Sequence, residues 1–228
     1  MRYKAILMDA DDTLLDFQSA EKRAIGELLV RFGVSSAGAP GEYRLINAVC
    51  WSEYERGLLT LDELRVVRFE RFAKKRAPRL DARRLADEYD GLLIQSSRAL
   101  PDAVDAVKKI ASRLPVAIVT NGPSGMQRQR LMRAGLMPHV ACVVTSEEIG
   151  SRKPDPGMLL HALRLMNVPS PADALMIGDS LTSDMPAAQN AGTDFLWYNP
   201  SGRARPGGAS IAYEARSIPE FVTVSTLD

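Results

Sequence analysis

Four short stretches of this chain set carboxylates, a hydroxyl, an amide and an ammonium where chemistry could be done. Asp9-Ala10-Asp11-Asp12-Thr13 follows the apolar run Tyr3–Met8, and Thr120-Asn121-Gly122 closes the run that starts at Val116. Lys153 stands in Arg152-Lys153-Pro154-Asp155, and Gly178-Asp179-Ser180 follows Ala174–Ile177, with Asp184 five residues beyond Asp179. If Asp9, Asp11, Asp179 and Asp184 converge, their charges repel, so either some are protonated or a cation binds. The chain holds only two histidines, His139 and His161, and two cysteines, Cys50 and Cys142. A metal would therefore be held mainly by oxygen, and such a set with room for water and phosphate suits Mg2+. Asp9 could then attack a phosphate ester in line and form an aspartyl-phosphate. Asp11 is free to protonate the leaving alcohol and then to deprotonate water. Thr120, Asn121 and Lys153 can donate to phosphoryl oxygens, Lys153 adding a positive charge, and backbone N–H groups near Asp9–Asp11 and Gly122 can cradle the anion.

Positioning such distant residues is the task of the elements between them. Short apolar runs suit buried strands at Tyr3–Met8, Val116–Thr120, Val140–Thr145, Ala174–Ile177 and Phe195–Tyr198. Helical patterns cover Pro101–Arg113, Ser124–Ala134, Pro156–Met166 and Thr182–Ala191 between them. This alternation predicts right-handed βαβ units and a parallel sheet. Ligands bind outside the carboxyl ends of such strands, so the sheet would bring the clusters to one edge. Between Gln18 and about Ser97 the pattern is helical throughout: Gln18–Phe32, Gly41–Arg56, Leu61–Arg76 and Asp81–Ser97. Thr60-x-x-Glu63 is a capping box at the start of the third. The expected architecture is α/β: a core over 1–16 and 98–228, interrupted after its first strand by a helical domain over 17–97. Asn199–Ala209, rich in Gly and Pro, reads as an exposed loop.

Composition narrows the partners. With 29 basic and 28 acidic residues the net charge is +1, which gives no global attraction to nucleic acid or an anionic membrane. The nine basic residues between Arg65 and Arg84 read as a solvated helical face. No run of about 18 apolar residues occurs, and the first residues carry acids where a signal peptide needs an apolar stretch. The expectation is a cytoplasmic protein, monomer or homodimer, acting on a small phosphate ester. Trp51, Tyr54 and Phe69 read as core of the helical insert rather than as a stacking platform. Met126, Met132, Met137, Met158, Met166 and Met176 read as packing.

Each motif alone has a plain structural reading: Asp11-Asp12-Thr13 as a capped turn, Thr120-Asn121-Gly122 as a turn, Asp179 and Asp184 as helix caps. Together and in order, DADDT, TNG, Lys153-Pro154 and GDSLTSD resemble the four motifs of the haloacid dehalogenase superfamily. The resemblance implies that family's Rossmann-like parallel sheet with an inserted helical cap. It implies Asp9 as nucleophile and Asp11 as acid/base. It gives Mg2+ to Asp9, the backbone carbonyl of Asp11 and Asp179, with Asp184 as an outer or direct partner. Thr120, Asn121, Gly122 and Lys153 are the implied phosphate binders. One departure is Asp12, where the family usually has Gly.

The opening DADD, Trp51-x-x-Tyr54-x-x-Gly57, Arg68-Phe69 and Ser146-Glu147-Glu148-Ile149-Gly150 resemble the house-cleaning pyrimidine 5′-nucleotidases of the superfamily. The function implied is hydrolysis of nucleoside 5′-monophosphates. A phosphatase for a sugar phosphate or phosphoglycolate, or a phosphomutase, would share the core residues. A phospho-acceptor signalling domain would share the acids, Thr and Lys, but its acidic pair precedes the acceptor and it lacks a helical insert after the first strand. Dehalogenases of the family lack an acid at the position of Asp11.

Overall fold

The computed structural model describes residues 2–35, 37–76 and 78–226. In chain order, β1 (Ala5–Met8) leads into α1 (Phe17–Arg31), α2 (Ala39–Glu55), α3 (Leu61–Arg76) and α4 (Ala82–Ser96). There follow α5 (Ala103–Ala111), β2 (Val116–Thr120), α6 (Ser124–Arg133), β3 (Cys142–Thr145), α7 (Ser146–Ile149) and α8 (Gly157–Leu165). The chain ends through β4 (Ala174–Gly178), α9 (Asp184–Ala191), β5 (Asp194–Tyr198), β6 (Tyr213–Ala215) and α10 (Pro219–Ser225). The backbone forms two compact units: residues up to Asp16 with those from Ala99 onward, and Phe17–Arg98. Residues 1, 227 and 228 of the expected core lie outside the described residues.

The first unit is an α/β core. Among the described residues its sheet has six parallel strands in the order β3-β2-β1-β4-β5-β6. β1 is central, with Leu7 opposite Ala117 on one side and Met176 on the other. A strand paired on both edges and covered on both faces has no polar side, which is why AILM is wholly apolar and wholly buried. Side chains alternate between faces: Ile6, Met8, Ile118 and Ile177 enter one core, and Leu7, Val119, Met176 and Trp197 the other. The chain steps outward from β1 through β2 and β3, then returns to β4 on the opposite flank and steps outward again. That reversal opens a crevice at the carboxyl ends of β1 and β4.

All five strands expected from the sequence are present, β1 and β3 beginning two residues later than expected. Three short elements carried no periodic signal: α7, β6 and α10 are too brief for an apolar period to show. β6 pairs with β5 at the sheet's edge. The loop before it is anchored by buried Asn199, whose Nδ2 donates to Arg203 O at 2.9 Å and to Glu214 Oε1 at 2.8 Å. Met158 and Met176 are buried, but Met132 is 65% exposed, against the packing role expected of it; it lies on an outward face of α6.

The second unit packs α1 through α4 around aromatic rings. Tyr43 lies 5.1 Å from Phe69 and 5.4 Å from Tyr89, centroid to centroid. Phe69 and Tyr54 are buried, and Trp51 meets Tyr54 edge-on. At the start of α3, Thr60 N donates to Glu63 Oε2 at 2.8 Å and Glu63 N to Thr60 Oγ1 at 3.2 Å, so the capping box forms. Part of the basic stretch pairs locally: Arg65 with Asp87 and Asp90, Arg71 with Glu53, and Arg76 with Glu42; Arg68 departs from the expected solvated face, being buried with Asp90 beside it. Among the described residues no helix is long and apolar enough to cross a membrane.

Phe69→Ala should open a void among the aromatic rings and cost about 3–5 kcal/mol, the usual range for a buried ring. Urea unfolding measures it; a loss below about 1 kcal/mol would mean that the cluster collapses freely onto the gap.

Candidate active site

Asp9 is the first residue beyond β1, and its backbone N–H donates to Ile177 O at 2.9 Å, so the ladder with β4 holds its backbone. Its Oδ1 accepts from Lys153 Nζ at 2.5 Å. The same ammonium donates to Asp184 Oδ1 at 2.6 Å and to Val119 O at 2.8 Å. All three Nζ protons are thereby used, and the side chain is 2% exposed. Asp184, fully buried at the start of α9, also accepts from Ser180 N at 3.1 Å through Oδ2. Gly178 is required by this approach, because a Cβ there would collide with the Asp184 carboxylate. Asp179 Oδ1 accepts from Thr13 Oγ1 at 3.3 Å. Its backbone carbonyl takes Trp197 Nε1 at 3.1 Å and Arg203 at 2.8 Å.

Asp9, Asp179 and Asp184 each offer an oxygen within 4.8 Å of the others. Burial pushes the Asp9 carboxyl well above the usual carboxylate range; Lys153 opposes this, and Asp184 and Asp179 add to it. Asp179 is pushed up to about 7 by burial, then by Asp184 and Asp12. Burial works to lower the Lys153 pKa, but the Asp184 and Asp9 carboxylates outweigh it and raise the value above an ordinary lysine's. Fully ionised, three clustered carboxylates against one ammonium would carry a net negative charge, which is what the raised Asp9 and Asp179 carboxyls resist. A donor set of hard oxygens under such repulsion fits a small divalent cation such as Mg2+. Asp12 sits at φ 56°, a left-handed conformation that favours Gly and that Asp tolerates. This explains how an acid can stand where the resembled family has Gly.

The second strand's cluster divides its labour. Asn121 Oδ1 accepts from Lys153 N at 2.9 Å, and its Nδ2 donates to Lys153 O at 3.0 Å. The side-chain amide thus braces the Lys153 loop with its oxygen and one of its two Nδ2 protons. Buried Thr120 accepts at Oγ1 from Gly122 N at 3.2 Å and from Gln127 Nε2 at 2.8 Å. Gly122 leaves room for this, since a Cβ there would lie 2.6 Å from Gln127 Nε2. Asp11 is gripped from α6: Arg130 donates to Oδ1 at 2.6 Å and to Oδ2 at 3.1 Å, and Gln127 Nε2 to Oδ2 at 2.9 Å. Gln127 and Arg130 were not singled out from the sequence. Their spacing, one helical turn apart and seven and ten residues past Thr120, was the available signal.

A family model for haloacid dehalogenase-like hydrolases matches residues 3–192. HAD-hydrolase YfnB of Bacillus subtilis is 31% identical over 228 residues, covering 100% of this chain and 97% of that protein. Its magnesium-bound crystal structure has a TM-score of 0.91 and 30% identity, over 100% of both chains. Pyrimidine 5′-nucleotidase PynA of Streptococcus pneumoniae is 34% identical over 224 residues, covering 97% of this chain and 94% of its own. Pyrimidine 5′-nucleotidase YjjG of Escherichia coli is 29% identical over 222 residues, covering 97% of each.

Lys153→Met removes the ammonium bonded to Asp9 and Asp184 and should cost about 3–5 kcal/mol near neutral pH, as breaking a buried pair does. The loss should depend on pH in a definite sense. A carboxyl whose folded pKa lies above its unfolded value binds protons on folding, so it costs stability as pH rises. For Asp179 the window runs from the ordinary carboxylate value near 4 to about 7. Lys153 lowers this value, so without it the Asp179 carboxyl would lie higher still; both proteins then lose stability alike across that window, and the deficit of the variant, read by urea unfolding without divalent ions, should grow above it. A deficit independent of pH would refute this electrostatic picture.

Proposed function

This chain belongs to the haloacid dehalogenase-like hydrolases, and on that footing we propose that it is a Mg2+-dependent phosphomonoesterase that cleaves pyrimidine nucleoside 5′-monophosphates through an aspartyl-phosphate on Asp9. The observation that carries this reading is the Asp9 carboxylate, fixed by Lys153 at the carboxyl end of the central strand, with the Asp11 carboxylate two residues away. The substrate class is supported by the relatives PynA and YjjG, whose names are those of pyrimidine 5′-nucleotidases. In this reading Phe17–Arg98 is the cap domain and selects the leaving group.

Asp9 attacks phosphorus, forming a bond from its carboxylate oxygen as the bond to the nucleoside oxygen breaks. Asp11 gives its proton to that oxygen, so the nucleoside leaves as an alcohol. Water then attacks the phosphorus of the aspartyl-phosphate; Asp11 takes back a proton, the Asp9–phosphorus bond breaks and inorganic phosphate is released. Thr120 donates its hydroxyl to a phosphoryl oxygen. Lys153, with its three protons on Asp9, Asp184 and Val119 O, orients the nucleophile and places positive charge beside it; a contact to phosphate requires it to release one of these. Asp9, the Asp11 backbone carbonyl and Asp179 would hold Mg2+, with Asp184 beside them. The ion would supply charge neutralisation for the incoming phosphoryl group.

The test is phosphate release with Mg2+ from a panel of 5′-nucleotides and sugar phosphates. Uridine and thymidine monophosphates should lead the panel; a uniform preference for sugar phosphates would reject the nucleotidase reading. Asp9→Asn should abolish both turnover and acid-stable protein phosphorylation, and near-normal turnover in that variant would refute the covalent route. Asp11→Asn should slow turnover about 100-fold or more, the scale of a lost general acid.

A further inference from the structure

We propose that Gln127 and Arg130 are positioning residues: they leave the Thr120 hydroxyl able to engage a phosphoryl oxygen only as a donor, and they hold the Asp11 carboxyl, the proposed general acid, in one orientation. The inference deepens the phosphatase reading and rests on it.

The chain of reasoning begins at Arg130, whose side chain is 1% exposed although it carries a full charge. A guanidinium has donors only. Its NH1 lies 2.6 Å from Gln127 Oε1, so the carbonyl end of that amide faces the arginine. The amide nitrogen must then face the other way, where it donates to Asp11 Oδ2 at 2.9 Å and to Thr120 Oγ1 at 2.8 Å. Thr120 Oγ1 already accepts from Gly122 N at 3.2 Å. A hydroxyl oxygen has two acceptor positions and one proton. With both acceptor positions filled, Thr120 can engage a further group only as a donor, and a phosphoryl oxygen is an acceptor. Arginine thus sets the amide, and the amide sets the hydroxyl.

Asp11 is held by the same pair. Arg130 spans both of its oxygens at 2.6 and 3.1 Å, the two-pronged geometry that fixes a carboxylate's plane. Gln127 adds a third bond, yet the Asp11 side chain remains 31% exposed. The carboxyl is therefore oriented without being walled off. An ion pair that served only to anchor α6 would have no need of the link to Thr120.

A leaving-group comparison separates positioning from anchoring. Departure of an alkoxide from uridine 5′-monophosphate needs a proton from Asp11, whereas p-nitrophenolate leaves without one. Arg130→Met should lower kcat for the nucleotide at least about 10-fold more than kcat for p-nitrophenyl phosphate, part of the range for general acid catalysis, with KM little changed. Gln127→Met, which leaves the Arg130–Asp11 pair in place, should lower kcat for both esters through Thr120, and for the nucleotide more. Asp11→Asn combined with Arg130→Met should show no more leaving-group bias than Asp11→Asn alone. Thermal unfolding confirms that each variant is folded; if Arg130→Met is not, Gln127→Met decides. Equal losses for both esters in folded variants would overturn this inference alone. Wild-type protein that released phosphate from neither ester would overturn the phosphatase reading and the inference together.

Discussion

One buried ammonium makes the rest of this site possible. Lys153 joins Asp9 to Asp184 and caps Val119 O, so a single side chain ties together the ends of β1 and β2 and the start of α9. Carboxylates held this closely and this deeply would otherwise repel, and burial raises the cost of each charge. The lysine lowers that cost without removing it: Asp9 stays raised, and Asp179 rises to about 7. A residual appetite for positive charge is the property a phosphate-ester enzyme needs if a divalent ion and an anionic substrate are to share one crevice.

The scaffold follows from the same demand. Side chains from residues 9 to 184 can meet only if the strands that carry them run parallel and end at one edge, and the order β3-β2-β1-β4-β5-β6 puts the reversal beside β1. Two small residues keep the space that side chains elsewhere require. Gly178 admits Asp184, and Gly122 admits Gln127. The Lys153 loop is held by the Asn121 amide at both its N–H and its carbonyl.

Much of this was legible in the chain itself, for a physical reason. A strand buried on both faces must be an unbroken apolar run, so AILM and ALMI announce themselves, and polar residues immediately after such runs can only lie at the sheet's edge. Asp9, Thr120 and Asp179 were accessible by that route. What stayed hidden has one cause in common: it depends on partners far away in sequence. Gln127 and Arg130 look like ordinary polar residues of an exposed helix until Asp11 is folded against them. The brace that the Asn121 amide gives the Lys153 loop cannot be read from the sequence, because the two lie 32 residues apart. Met132 reads as core because periodicity does not tell which turn of a short helix faces water. β6 and α10 are short enough that packing, not pattern, decides them.

The central claim is that Asp9 receives the phosphoryl group in a site completed by a divalent ion. The most direct measurement is a crystal structure of the protein with Mg2+ and beryllium trifluoride, a mimic of a phosphoryl group on a carboxylate. The account predicts beryllium bonded to the Asp9 carboxylate, with the metal contacting Asp9 and Asp179. Beryllium attached elsewhere, or a metal lodged away from these acids, would contradict it.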